Sequence, residues 1–388
     1  MGEIMNIWRF PYYDVEQGID WGAIEENFDW FRDMKDIPQD PVWHAEGDVQ
    51  IHTKMVCEAL IALPEFEGLD EQTKHIMVTA ALMHDIEKRS TTTEEERDGR
   101  ICIVAPRHAK KGEFTARRVL YKDIPTPFWV REQICKLVRF HGAPLWVPRD
   151  GNLEHKVVEV SLYVKNSLVA MIAKADVLGR VAEDNPEMLE RIEYYKMVAE
   201  EAHCLNWGRQ FYSQHAQLEY LRYKGWIGYV PFVKHKFWVY MLVGIAGTGK
   251  DTYIKENFKN HPVVSLDDIR RDLGFKPSNK KGLGYVVREA KDQAREYMRK
   301  HQDFVFNATN INSDIRKKWI ELFEEYGGTV LVHYLEVPYD VIMKQNNNRE
   351  EEDKVPEKVI EKMIKKLEIP MHHEATQINY RPRIDEKK

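Results

Sequence analysis

The chain has 388 residues, 43% hydrophobic and 31% charged, with a formal net charge of −6. That length suits two domains of ordinary size with real cores. The negative balance excludes a globally basic nucleic-acid binder, so any contact with a polyanion has to come from local patches.

The opening stretch MGEIMNIWRFPYYDVEQ lacks the basic and apolar regions of a secretory leader. No apolar run approaches the roughly 20 residues of a membrane span. A cytoplasmic protein with no membrane partner is expected. Cys57, Cys102, Cys135 and Cys204 form no CxxC pair, so they read as single, partly buried thiols of a reducing compartment.

From the start to about Lys224 the pattern is helical. EQTKHIMVTAALMHDIEK (Glu71 to Lys88) and SLVAMIAKADVLGRVAE (Ser167 to Glu183) repeat apolar residues at spacings of three and four. The stretch from Asn185 to Tyr223 also reads as helical, and KGWIGYVP then breaks it. The expected division is a domain over residues 1–225, a linker over 226–236 and a second domain over 237–388. The fold class is an all-α domain followed by an α/β domain with a parallel sheet.

The first domain carries an ordered set of metal-binding side chains: His52, His84-Asp85, His108, His141 and Asp176. HTKMVCEAL puts His52 on a helix, ALMHDIEK puts the His-Asp pair at the end of another, and KADVLGR puts Asp176 on a third. Mixed imidazole and carboxylate ligands suit Mn, Ni, Co, Fe or Zn more than Ca. His52, His84, Asp85 and Asp176 form one candidate ion site. His108 and His141, with Asp85 bridging, form a second. Two ions about 4 Å apart bind a phosphate and generate a hydroxide for in-line attack. Lys88, four residues after His84, and Arg180, four after Asp176, are candidates to hold phosphate oxygens from the same helix faces. His44 is a candidate substrate contact. The nine histidines from His155 to His373 fit no pattern.

After Phe237 strand-like runs (FWVYMLVG, VVSL, FVFN, VLVHYLEV) alternate with helical ones, which implies a parallel sheet with crossover helices. Gly244-Ile-Ala-Gly247-Thr248-Gly249-Lys250 fits GxxxxGK directly after the first strand. Backbone N–H groups of such a loop cradle phosphates, and Lys250 reaches the β and γ phosphates of an NTP. The usual magnesium-binding Ser/Thr is replaced by Asp251, with Thr252 next. A carboxylate is also a hard oxygen ligand; direct ligation, ligation through water, or replacement by Thr252 all stay open.

Asp267, at the next strand end, is a candidate general base for an acceptor hydroxyl, and Arg270 a candidate clamp on a substrate phosphate. The alternative is a helix-capping aspartate with a surface arginine. Asn307-Ala308-Thr309-Asn310 ends a third strand at the edge where open sheets bind ligands. Arg349 and Lys354 flank an interruption between two helical stretches, where small P-loop kinases carry a lid. A solvated charge is the alternative for Arg349.

The series GxxxxGK, DDxR, a strand-end TN and a lid arginine resembles the 5′-OH polynucleotide kinase family over roughly Tyr240 to Leu367. That resemblance implies an NTP donor with Mg²⁺, Lys250 on phosphates, Asp267 as base and Arg270 on the acceptor phosphate. The set H…HD…H…H…D resembles the two-metal branch of the HD phosphohydrolase superfamily over roughly Trp43 to Arg180. The two in tandem resemble the bacterial HD-Pnk end-healing enzymes. The pairing implies that the first domain opens a 2′,3′-cyclic phosphate and removes the remaining phosphate. The second phosphorylates a 5′-OH, and a ligase seals the RNA or DNA ends. The basic stretch Arg107–Lys122 and SNKKGLG (278–284) are candidate backbone guides or solvated faces. Two other readings stay open: an HD nucleotidase fused to a small-molecule kinase, and an NTP- and metal-dependent sensor without catalysis.

Overall fold

In the computed structural model, which describes residues 7–97, 99–146, 151–276, 280–350 and 354–383, the chain divides into two units, Met1–Arg209 and Gln210–Lys388. The first is mainly helical. Its central elements are α1 (Val49–Ile61), α2 (Glu71–Met83), α3 (His108–Arg118), α4 (Phe128–Phe140) and α5 (Asn166–Leu178). Asp48 and Asp70 start α1 and α2 by accepting from the N–H groups of Ile51 and Thr73. From His75 to Met83, α2 is buried all round, as a helix at the centre of a bundle has to be. It packs against α1, α4 and α5.

Three sequence expectations change here. α5 ends at Leu178 with Gly179 as its cap, so Arg180 lies beyond the helix rather than on its face. α2 ends at Met83, and Lys88 opens a separate short helix, Lys88–Thr91. The Asn185–Tyr223 stretch is likewise not one helix. It stops at Glu201, where His203 adopts φ +52° and the N–H groups of His203 and Cys204 bond the carbonyls of Glu200 and Ala199. All four cysteines are buried free thiols. An antiparallel hairpin, Thr93–Arg97 with Arg100–Val104, turns at Gly99 (φ +76°).

A buried ion network joins α3 to α4. Arg117 donates to both carboxylate oxygens of Glu132 and to Glu113, Lys136 donates to Glu113, and Arg131 donates to Glu132. The basic stretch expected on the surface is therefore split. Arg107, Lys110 and Lys111 are exposed, whereas Arg117 is enclosed. The 278–284 segment begins with residues outside those described.

The second unit opens with the helix Gln214–Leu221, earlier than the expected boundary at 225–236. Arg222 ties it down by donating to Glu324 and to the carbonyls of His373 and Glu374. Five strands follow: β1 (Phe237–Val243), β2 (Val263–Ser265), β3 (Phe304–Asn307), β4 (Gly328–Glu336) and β5 (Gln377–Pro382). Their order is β2-β3-β1-β4-β5, and every pairing is parallel. Side-chain alternation on β3 builds both halves of the core. Phe304 and Phe306 meet Trp319 and Phe323, while Val305 joins Leu242, Ile254, Phe258 and Leu335. β5 has no counterpart in the sequence reading.

Candidate active sites

Helix ends converge in the first unit. His84 caps α2, His108 begins α3, His141 caps α4, His52 lies on α1 and Asp176 on α5. The Nδ1 atoms of His84, His108 and His141 lie 2.7, 2.7 and 2.8 Å from the carbonyl oxygens of Ala81, Ala105 and Val138. A carbonyl only accepts, so Nδ1 carries the proton and the Nε2 lone pair points inward. His52 Nδ1 sits 2.9 Å from Glu46 Oε1. The sequence reading did not pick out Glu46. Its Oε1 also takes His44 Nδ1 at 2.8 Å, and its Oε2 accepts from Val181 N–H. The only signal was its place between two histidines, in His-Ala-Glu-Gly-Asp.

The inward atoms meet at Asp85. His84 Nε2 lies 3.2 Å and His52 Nε2 3.6 Å from Asp85 Oδ2, and His108 Nε2 lies 3.3 Å from Oδ1. His141 Nε2 is 3.3 Å from His108 Nε2, and Asp176 Oδ1 is 3.1 Å from His52 Nε2. Two ligand groups result, His52–His84–Asp85 and Asp85–His108–His141, sharing the one carboxylate. All six predicted ligands come together. His52 Nε2, His84 Nε2 and Asp85 Oδ1 are buried without an aligned hydrogen-bond partner, although acids lie close by. Atoms left that way are costly unless something electrophilic binds them.

Electrostatics agree. Burial and the neighbouring histidines push His141 down to about 4, and burial also lowers His108, which leaves both neutral and able to ligate. Burial opposes the charge on Asp85, but Lys88 and the histidines outweigh it and hold the carboxyl well below its usual range. For His52 burial is overcome by Asp176 and Glu46, which lift it to about 9. The carboxylates that favour a proton on His52 would favour a cation in its place by the same charges. Lys88 Nζ reaches Asp85 Oδ2 at 2.7 Å and Gln39 Oε1 at 2.8 Å. Arg180 bonds Asp184 and Asn185 and lines the adjoining cavity of about 430 Å³, together with His44, Lys88 and the ligands Asp85, His108, His141 and Asp176.

In the second unit β1 runs into the loop Gly244–Lys250. Gly247 and Gly249 adopt φ +87° and +81°, which a side chain resists. A Cβ on Gly244 would sit 2.7 Å from the Leu335 carbonyl and from Thr248 Oγ1. Lys250 begins the helix Lys250–Asn257, and its Nζ donates to the carbonyls of Gly244 and Ile245. Burial lowers this ammonium to about 8, against the pull of Asp267 and Asp251 and with the push of Arg349. Those three residues therefore lie within electrostatic reach of Lys250.

Asp251 accepts from Asn307 Nδ2 at 2.9 Å, so β3 fixes the residue that replaces the usual Ser/Thr. Thr252 is exposed beside it. Ser265, not Asp267, caps the helix Leu266–Asp272. Asp267 is thereby released from capping, and it pairs with Arg270 at 2.7 Å. The strand-end Thr-Asn is scaffold: Thr309 O accepts from Gly244 N–H, and Asn310 Nδ2 donates to Leu242 O. Arg349 lies between the helices Tyr339–Asn347 and Glu357–Lys365.

Residues 239–370 match a family model described as an AAA domain (AAA_33). The second unit holds a P-loop kinase-like domain. A domain of this kind takes a nucleotide with Mg²⁺. A crystal structure of a candidate kinase from Chloroflexus aurantiacus matches 38% of this chain and 86% of its own, at 13% identity and a TM-score of 0.33. That score is too low to transfer an activity. Among the described residues, no helix is long and apolar enough to cross a membrane.

Proposed function

We propose that the chain heals broken nucleic-acid ends, RNA above all, with an HD-type phosphohydrolase in its first unit and a 5′-OH polynucleotide kinase in its second. The observation that carries this reading is the pair of buried ligand groups joined through Asp85 in a chain that also holds a P-loop. His52, His84, Asp85 and Asp176 fit one divalent transition-metal ion, and Asp85, His108 and His141 a second. Such ions, when bound, polarise a phosphoryl group and activate water. Lys88 and Arg180 orient the phosphate oxygens, and Glu46 fixes the His52 ring. The products are a 2′,3′-diol end and inorganic phosphate.

In the kinase unit the Gly244–Thr248 amides and Lys250 hold the NTP phosphates. Asp251 or Thr252 serves Mg²⁺. Asp267 takes the proton of the 5′-hydroxyl as the hydroxyl oxygen attacks the γ-phosphorus and the bond to the β–γ bridging oxygen breaks, releasing NDP; Arg270 clamps the adjacent phosphate and Arg349 meets the transferring group. A ligase acting on the healed ends is the implied partner.

The test is direct. Protein replete with Mn²⁺, Ni²⁺ or Co²⁺ should convert a nucleoside 2′,3′-cyclic phosphate to nucleoside and phosphate, and should transfer label from ATP to a 5′-OH oligonucleotide. Failure of both reactions in metal-loaded, folded protein contradicts the proposal.

A further inference from the structure

The cavity at the ligand cluster adjoins a larger one of about 870 Å³, and the two share His44, Lys88, His108, Trp146 and Arg180. A phosphate alone has no use for this volume, which lies in the range of pockets for whole organic ligands, roughly 300–1,000 Å³. Two tryptophans line the larger cavity, Trp43 at 44% exposure and Trp146 at 65%. Large rings left this far in water on a cavity wall are unsatisfied apolar surface. Five basic side chains line the same cavity against three acidic ones. The acids hold the guanidinium groups in place: Asp40 holds Arg100, Asp184 holds Arg180 and Glu187 holds Arg191. Arg191 in turn lies 6.0 Å from the centre of the Trp146 ring, a cation–π arrangement that fixes the ring.

We infer that the larger cavity receives the terminal nucleosides of a single-stranded nucleic acid, with bases stacked on Trp146 and Trp43 and the end phosphate delivered to the Asp85 cluster. The inference rests on the phosphohydrolase reading above and adds the recognition element. Every base has a π-face, so aromatic platforms beside fixed cations bind single strands with little sequence preference. Trp146 lines both cavities, which puts its ring beside the last nucleoside. Trp43, found only on the larger, takes the one before it.

The experiment compares Trp146→Ala, Trp43→Ala and their Phe counterparts with the unaltered chain. Substrates are a short 3′-phosphorylated oligonucleotide, the matching mononucleoside 3′-phosphate and glycerol 2-phosphate. The ratio of kcat/KM on the oligonucleotide to that on glycerol 2-phosphate should fall about tenfold or more for each Ala variant, through KM, in line with the loss of one stacked base. The Phe variants should recover most of it. Only Trp146→Ala should matter for the mononucleotide. A ratio that does not move overturns the inference, as does an equal loss on all three substrates.

Should the unaltered protein hydrolyse none of them, the phosphohydrolase reading fails and the stacking is still decided by fluorescence. A 3′-phosphorylated oligonucleotide should quench tryptophan emission, and the quench should shrink in the Trp146→Phe and Trp43→Phe proteins. Equal quench in all proteins, or none, overturns the subsite.

Discussion

Asp85 is the residue on which the first site turns, because both ligand groups use its carboxylate. Asp85→Ala should remove both ions and abolish phosphate release while leaving the kinase intact; metal analysis and the two assays on one preparation check this. Glu46 acts one step further out. Glu46→Gln keeps the shape but weakens the hold on His52 Nδ1, and metal affinity should fall about 10–100-fold, measured by competition with a chelator. In the second site Lys250 gives a pH signature. Its pKa in the free protein, pushed down to about 8, must rise again when polyphosphate binds. Above that value the amine is neutral and binding takes up a proton. ATP affinity should therefore fall as pH rises past 8, by up to about tenfold per unit. Lys250→Met should bind weakly and without this slope. Calorimetry in two buffers of different ionisation heat reads the proton directly; a flat profile for the unaltered protein contradicts the assignment.

At the scale of elements, the candidate metal ligands depend on how closely helices approach. A Cβ on Gly179 would lie 2.6 Å from the backbone N and Cα of Val56, so Gly179→Ala forces the end of α5 away from α1. The expected cost is about 1–3 kcal/mol of stability, with weaker metal binding as the 3.1 Å spacing of His52 and Asp176 opens. Denaturant unfolding with and without metal separates the two effects. The α3–α4 network sets the positions of His108 and His141 in the same way. Burial works against the Glu113 carboxylate, but Lys136 and Arg117 bring it down to about 2 from 4.5. A depressed acid stabilises the fold fully above 4.5 and loses that contribution as pH falls towards 2. Glu132→Gln leaves the buried Arg117 with one carboxylate partner, Glu113, instead of two, and should cost up to about 3–5 kcal/mol.

These elements also show what a sequence reveals and what it hides. The convergence of the six candidate ligands and the P-loop were legible because each combines a chemically rare side chain with a helical or strand context. Glu46 was not, because a lone carboxylate in a loop gains its meaning only from the fold that brings it to His52. The helical faces assigned to Lys88 and Arg180 failed because periodicity does not register where a helix stops. Arg117, inside the basic Arg107–Lys122 stretch, faces inward for a related reason: Glu113 lies within the stretch, but Glu132 lies on the next helix.

For the whole molecule, the chain places a helical unit with two candidate metal-ligand groups and a P-loop kinase-like unit in one polypeptide. Under the proposed function, the substrate that needs both chemistries is a nucleic acid broken to leave a 5′-OH and a 2′,3′-cyclic phosphate. The measurement that tests this most directly follows both ends of one such RNA on a gel, with labelled ATP, Mg²⁺ and Mn²⁺ or Ni²⁺, in the unaltered chain and in Asp85→Ala and Asp267→Ala. The unaltered chain should label the 5′ end and clear the 3′ phosphate. Asp85→Ala should only label, and Asp267→Ala should only clear. An RNA left unchanged at both ends, while mononucleotides or small alcohols react under the same conditions, would contradict the account.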